Sequence, residues 1–192
     1  MGCDIHLHVE QRLREGKKLV IREAEYDEEG NIIKQELSYT PEREWREFDW
    51  DIEFSDRIYG MFALLADVRN YSDLKHIEIR GFPDDASKSV KNRYFLRITD
   101  NGEGDRSITL DDAKRWGCEI IEMNGNTCAA DPDYHSPNWC TVEEMEYAVN
   151  TLFKTGENFH GDYIYWTGLL GLMKGIESSG DYECRAVFWF DN

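Results

Sequence analysis

Apolar and polar residues alternate from the third position onward. Cys3, Ile5, Leu7 and Val9 fall on one side of an extended chain, and Asp4, His6, His8 and Glu10 on the other. A period of two is that of a strand with one buried face. The turn-forming stretch Arg14-Glu15-Gly16-Lys17 leads to a second strand, Leu19 to Tyr26. Asp27-Glu28-Glu29-Gly30-Asn31 leads to a third, Ile32 to Tyr39, which predicts an N-terminal meander. Pro41 then opens a charged, aromatic segment, Glu42 to Phe54, without periodicity. The period changes to three and four at Ile58, Met61, Phe62, Leu65 and Val68, predicting a helix capped by Ser55 or Asp56.

Residues 70–115 are polar and mixed, with a turn at Arg80-Gly81-Phe82-Pro83-Asp84-Asp85 and a strand over Arg93 to Ile98. Thr109 to Trp116 reads as a short helix, Glu119 to Met123 as a strand, and Asn124 to Asn138 as a long loop. Thr141-Val142-Glu143-Glu144 is a capping box opening a helix whose buried stripe is Met145, Ala148, Val149 and Leu152. A further helix is predicted over Tyr163 to Ile176. The alternating, apolar Cys184 to Phe190 should join the sheet begun at residue 3. The expected fold is a single α+β domain over 1–192: a mainly antiparallel sheet, built from the N-terminal meander and the C-terminal strand, with helices packed on one face.

Composition narrows the function. The chain has 192 residues with 22 basic and 39 acidic side chains, a formal net charge of -17. Such a surface repels polyanions, so no long nucleic acid and no anionic membrane is expected as partner. A small phosphate-bearing ligand needs only a local basic pocket. No apolar run reaches the roughly 18 residues of a membrane span, and the N-terminus has neither the basic nor the apolar region of a signal peptide. Five scattered cysteines without a C-x-x-C pair fit a reducing, cytoplasmic setting.

The first strand carries the candidate chemistry. Two of the chain's five histidines share a face with two carboxylates there, and imidazole with carboxylate is a ligand set for zinc, manganese or iron. Asp4 and Glu10 lie ~20 Å apart along a strand, so one ion cannot bind both. His6 with His8, or Asp4 with His6, at roughly 6.6 Å, is close enough. A sheet face turned to solvent gives the same alternation. D-x-H-x-H also resembles the first strand of amidohydrolases and of the polymerase-and-histidinol-phosphatase metal phosphoesterases, over five residues and as a chemical analogy only. His135, in Asp131-Pro132-Asp133-Tyr134-His135-Ser136-Pro137, is the candidate for a further metal ligand or a general acid or base. Arg80, followed by Lys88, Lys91, Arg93 and Arg97, begins the main basic stretch and suits a phosphate or carboxylate.

These segments together resemble a family of uncharacterised phage and bacterial proteins. Its landmarks are M-G-C-D-I-H (Met1 to His6), F-A-L-L-A-x-V-R (Phe62 to Arg69), R-G-x-P-x-D (Arg80 to Asp85), H-S (His135-Ser136) and R-x-V-F-W-F-D-N (Arg185 to Asn192). The resemblance implies that Asp4, His6, Arg69, Arg80, Asp85, His135 and Asp191 are motif positions, with His8 outside the pattern. It brings no catalytic assignment. It implies a phage context, in which small acidic proteins cleave or capture nucleotide immune signals in the host cytosol.

The resulting expectation is a metal-assisted phosphoester hydrolase. Asp4, His6 and His135 would be catalytic, and Asp4, His6, His8 and His135 would hold a divalent Zn, Mn or Mg ion. Arg69, Arg80, Asp85 and Arg185 would hold the ligand. The alternatives are a non-enzymatic protein that sequesters a nucleotide-like signal, and an acidic protein–protein inhibitor. Oligomeric state stays open.

Overall fold

The computed structural model describes residues 3–15, 17, 20–39, 43–48, 57–155 and 163–191. In chain order the elements are β1 (Asp4–Leu13), β2 (Val20–Tyr26), β3 (Ile32–Tyr39), β4 (Arg46–Glu47), α1 (Tyr59–Ala66), α2 (Lys88–Tyr94), β5 (Phe95–Ile98), β6 (Ser107–Ile108), α3 (Leu110–Arg115), β7 (Ile120–Met123), β8 (Asn126–Ala130), β9 (Tyr134–Thr141), α4 (Val142–Thr155), α5 (Tyr163–Ser178) and β10 (Tyr182–Asp191). This is an α+β fold. Among the described residues no helix is long and apolar enough to cross a membrane.

The central sheet has the order β4-β1-β10-β9, entirely antiparallel. The two ends of the chain meet in it, with Asp4 opposite Asp191 and Leu13 opposite Tyr182. β10 is central because both its faces are apolar: residues 184–190 are all buried. Cys3, Ile5, Leu7, Val9, Phe188 and Phe190 face α1, α4 and α5, and form the larger core with Met61, Phe62, Met145, Leu152 and Trp166. α1 is buried over its whole circumference from Gly60 to Ala66, which explains the broad apolar run in the sequence. The predicted caps Ser55 and Asp56 lie outside the described residues. The capping box of α4 forms as expected: Glu144 N–H donates to Thr141 Oγ1 at 3.3 Å, and Thr141 N–H to Glu144 Oε2 at 3.0 Å.

The opposite face of the central sheet is also covered. Val187 and Trp189 pack with Val90 and Tyr94 of α2 and with Phe95, Cys128 and Ala130 of a second sheet, ordered β6-β5-β8-β7.

Three expectations need amendment. The N-terminal meander is split, because β1 pairs with β10 and β4 while β2 and β3 form a separate two-stranded ribbon. The strand from Arg93 begins only at Phe95, because Ser87 caps α2 by accepting from Val90 N–H, and the i, i+4 pair Val90 and Tyr94 is buried as one helical stripe. The loop over 124–138 is instead a hairpin followed by a strand. Asn124 (φ 53) and Gly125 (φ 74) make the tight turn from β7 to β8, a turn that needs positive φ at both positions.

Candidate functional site

Period two sends Asp4, His6, His8 and Glu10 to the α2 side of the sheet, and each finds a different partner. Asp4 is held by Arg57, whose Nη2 lies 2.8 Å from Oδ2. The Arg57 hydrogen bonds pull the Asp4 carboxyl below its ordinary range. His6 Nε2 meets Asp191 Oδ2 at 3.0 Å, and the other oxygen of Asp191 accepts from Asp4 N–H at 3.1 Å. His8 Nδ1 meets Glu47 Oε1 at 2.8 Å. Glu47 Oε2 also accepts from the Ser89 hydroxyl, and Arg93 Nε lies 3.5 Å from Glu47 Oε1. Trp189 is the shared wall, with its ring 5.9 Å from His6 and 4.9 Å from His8.

The hydrogen bond from His8, helped by Ser89, lowers the Glu47 carboxyl to about 2 from an ordinary 4.5, against the opposing effect of burial. A depressed folded-state pKa means that the stabilisation is fully present above the unfolded value and fades as pH falls through the folded one. Glu47→Gln should therefore melt below the wild type at pH 7, and the gap should close between about pH 4.5 and pH 2. Melting curves at pH 7, 4 and 2.5 check this; a gap that stays constant across the series refutes it.

His135 does not join this face. Phe188 opposes Asn138 and Phe190 opposes His135, so two residues of β9, Ser136 and Pro137, face the single Trp189 of β10. This bulge, with Ser136 at φ 48, reverses the alternation. His135 therefore shares the helix-side face with Phe190, whereas His6 shares the other with Trp189. There His135 Nε2 lies 3.9 Å from Cys3 Sγ. Burial raises the Cys3 thiol pKa, and the neighbouring Arg69 only partly opposes the rise. The four expected metal ligands are thus not brought together: Asp4, His6 and His8 each have a separate partner, and His135 is across the sheet. Among the described residues no three His, Cys, Asp or Glu side chains gather to hold an ion.

The expected ligand-binding residues also disperse. Arg80 is engaged by Glu144 at 2.6 and 3.0 Å and covers the Trp139 ring at 4.6 Å. Arg69 covers Tyr59 at 4.8 Å. Arg185, 3% exposed, joins Glu10 at 2.8 Å and Asp85 at 2.7 Å, with its guanidinium 4.0 Å from the Trp45 ring. Of these residues, Asp85 also borders open space.

That space is a groove around α2. Three hollows of about 410, 520 and 520 Å³ all include Lys88 in their walls. Lys88, Lys91, Arg93 and Arg97, the basic stretch seen in the sequence, are joined there by Arg43, Arg46 and Arg106. The acidic side chains of the walls are Glu44, Glu47, Asp85, Glu103, Asp105 and Glu122. Seven of the chain's 22 basic residues thus line the groove against six of its 39 acidic ones, a local balance opposite in sign to the whole.

Sequence reasoning missed Trp45, Glu47, Arg57 and Ser89. The first two lie in the aperiodic aromatic segment, where no pattern distinguishes them. Comparisons with protein-family models, with curated proteins and with solved structures give no match.

Proposed function

We propose that the protein binds a small phosphate-bearing, nucleotide-like ligand in the groove around α2. The observation that carries this reading is the concentration of basic side chains about Lys88 in a chain of net charge -17. Individual hollows of about 410 to 520 Å³ fall in the range of small-molecule sites. The half-buried Phe48 in the wall offers a ring for a base, and the guanidinium groups offer forks for phosphate oxygens. The acidic exterior steers long polyanions away while leaving a compact anion a local attractive field. Capture of a nucleotide signal, one role of small acidic proteins in the phage context that the sequence resemblance implies, fits this reading. The divalent ion expected from the sequence is left out of it, because the candidate ligands have other partners.

A thermal-shift panel of AMP, ADP, ADP-ribose and a cyclic dinucleotide tests the proposal. At least one should raise the melting temperature, since a ligand at 100 times its Kd stabilises by about 2.7 kcal/mol. Lys88→Glu combined with Arg97→Glu should weaken that ligand at least about tenfold, the value of roughly 1.4 kcal/mol in binding. A panel without any shift at millimolar concentration, or a double variant that binds unchanged, overturns it.

A further inference from the structure

One strand face carries two imidazole–carboxylate pairs in succession, His6–Asp191 and His8–Glu47. In each, one ring nitrogen is fixed by a carboxylate. Among the described residues the other nitrogen, His6 Nδ1 or His8 Nε2, is not a buried atom without a partner, and the two side chains keep 36% and 15% of their exposure. A carboxylate that fixes one nitrogen sets the tautomer and direction of the ring, the arrangement required of a general acid or base. Asp191 is fixed in turn by Asp4 N–H, and Glu47 by Ser89, so neither carboxylate is loose.

The pairs are also correctly spaced. His6 and His8 lie two residues apart on β1, roughly 6.6 Å between Cα atoms, and Trp189 packs beside both rings. A tetrahedral phosphoryl group hydrogen-bonded on two sides fits that interval. Glu47 of the second pair and its neighbour Arg93 stand in the wall of the basic groove, so the second pair adjoins the proposed ligand site and the first follows it along β1.

We infer that His6 and His8 are a catalytic acid–base pair that hydrolyses a phosphodiester without a metal ion. The inference rests on the groove as the site that delivers the ligand. His6, the more exposed of the two, takes a proton from water as the water oxygen bonds to phosphorus. The ester P–O bond breaks, its electron pair leaves on the oxygen, and His8 supplies that oxygen with a proton. Water and diester thus become a phosphomonoester and an alcohol, and solvent returns the proton from His6 to His8. Arg93 faces the charge on the phosphoryl oxygens. Asp191 and Glu47 are positioning residues.

The test is turnover of bis(4-nitrophenyl) phosphate and of a cyclic dinucleotide by the full chain in excess EDTA. Wild type should cleave at least one. His6→Ala should lose about a hundredfold or more in kcat on either, the usual share of one acid or base. His8→Ala should lose as much on the cyclic dinucleotide and little on the nitrophenyl ester, whose phenolate leaves without a proton. Added imidazole should restore part of the loss. Asp191→Asn and Glu47→Gln should lower kcat with KM unchanged. A variant that fails to fold would show a lost melting transition, and imidazole rescue would then be absent in the His variants. The less intrusive His6→Gln and His8→Asn serve in that case, with the same loss expected. Activity abolished by EDTA, or a bound cyclic dinucleotide recovered intact, refutes the inference. In the second outcome ligand binding by the groove stands. Cleavage that is indifferent to Lys88→Glu keeps the acid–base pair and removes the groove.

Discussion

Arg185→Met should destabilise the protein by about 3–5 kcal/mol, the usual cost of leaving one member of a buried ion pair without its partner. Glu10 has no exposed surface and Arg185 retains 3%. The carboxylate takes Ser87 N–H at 2.6 Å on one oxygen and Arg185 Nε at 2.8 Å on the other. Methionine fills much of the arginine's volume but supplies no charge and no donor. Glu10 would have to stay ionised in an apolar layer between sheet and α2, or take up a proton. Asp85 would lose its bond to Arg185 as well, and the Trp45 ring its covering cation.

For a chain of this size each kcal/mol is worth roughly 2–4 °C, so a drop of about 6–20 °C in Tm is expected. The companion variant Glu10→Met with Arg185→Met removes both charges and should recover much of the loss, because an apolar replacement of a buried pair is often close to neutral. Urea midpoints of the two variants decide the matter. A single variant within about 1 kcal/mol of wild type would mean that water reaches the pair.

This ion pair also marks how far the sequence could be read. β1 and α4 were legible because each obeys one period over its length and α4 carries its own capping signal, and β10 because it is a short, nearly continuous apolar run. That the C-terminal strand joins the sheet of β1 was legible, but not that it pairs directly with β1, which is set by the fold. In the second layer β5, α3 and β7 were legible as well, but α2 and β8 were not. α2 has only Val90 and Tyr94 as a buried stripe, too short a pattern to stand out, and β8 is Asn-Thr-Cys-Ala-Ala, whose small residues carry little strand propensity. The Asn124-Gly125 turn was the available signal for that hairpin.

The candidate site was half legible. His6 and His8 were assigned to the correct face, but their carboxylates, Asp191 and Glu47, come from distant segments that only the fold brings near. His135 reads as a loop residue, because Asn124 to Asn138 shows no period, so the sequence assigns it no face. Proline inside a strand is a mark of a bulge or an edge, and here it is a bulge that turns the ring to the other face. Regular pairing of Cys140 with Ala186 and of Asn138 with Phe188 sets Asn138 on the helix side, and that placement has a measurable consequence.

Asn138→Leu should cost about 3–6 kcal/mol, from three buried hydrogen bonds lost at roughly 1–3 kcal/mol each, with partial relaxation. Asn138 has no exposed surface. Its Nδ2 donates to Leu65 O at 2.9 Å and Glu78 O at 3.0 Å, and its Oδ1 accepts from Arg80 N–H at 2.9 Å. One side chain thus ties the last turn of α1 and the segment before the Arg80–Asp85 turn to the bulged strand. Leucine has nearly the same shape but leaves two carbonyls and one N–H without partners, in a place it fills too well for water to enter. Alanine leaves room there, and a water that bonds several of the orphaned groups would lower the cost. Asn138→Ala should therefore be less damaging than Asn138→Leu, the reverse of what loss of packing alone predicts. Denaturation midpoints of the two variants give the order, and hydrogen exchange at Arg80 gives the local effect: its amide should lose protection in Asn138→Leu. If leucine is the milder substitution, the three bonds contribute less than the packing does, and the tether between α1 and the Arg80 turn must lie elsewhere.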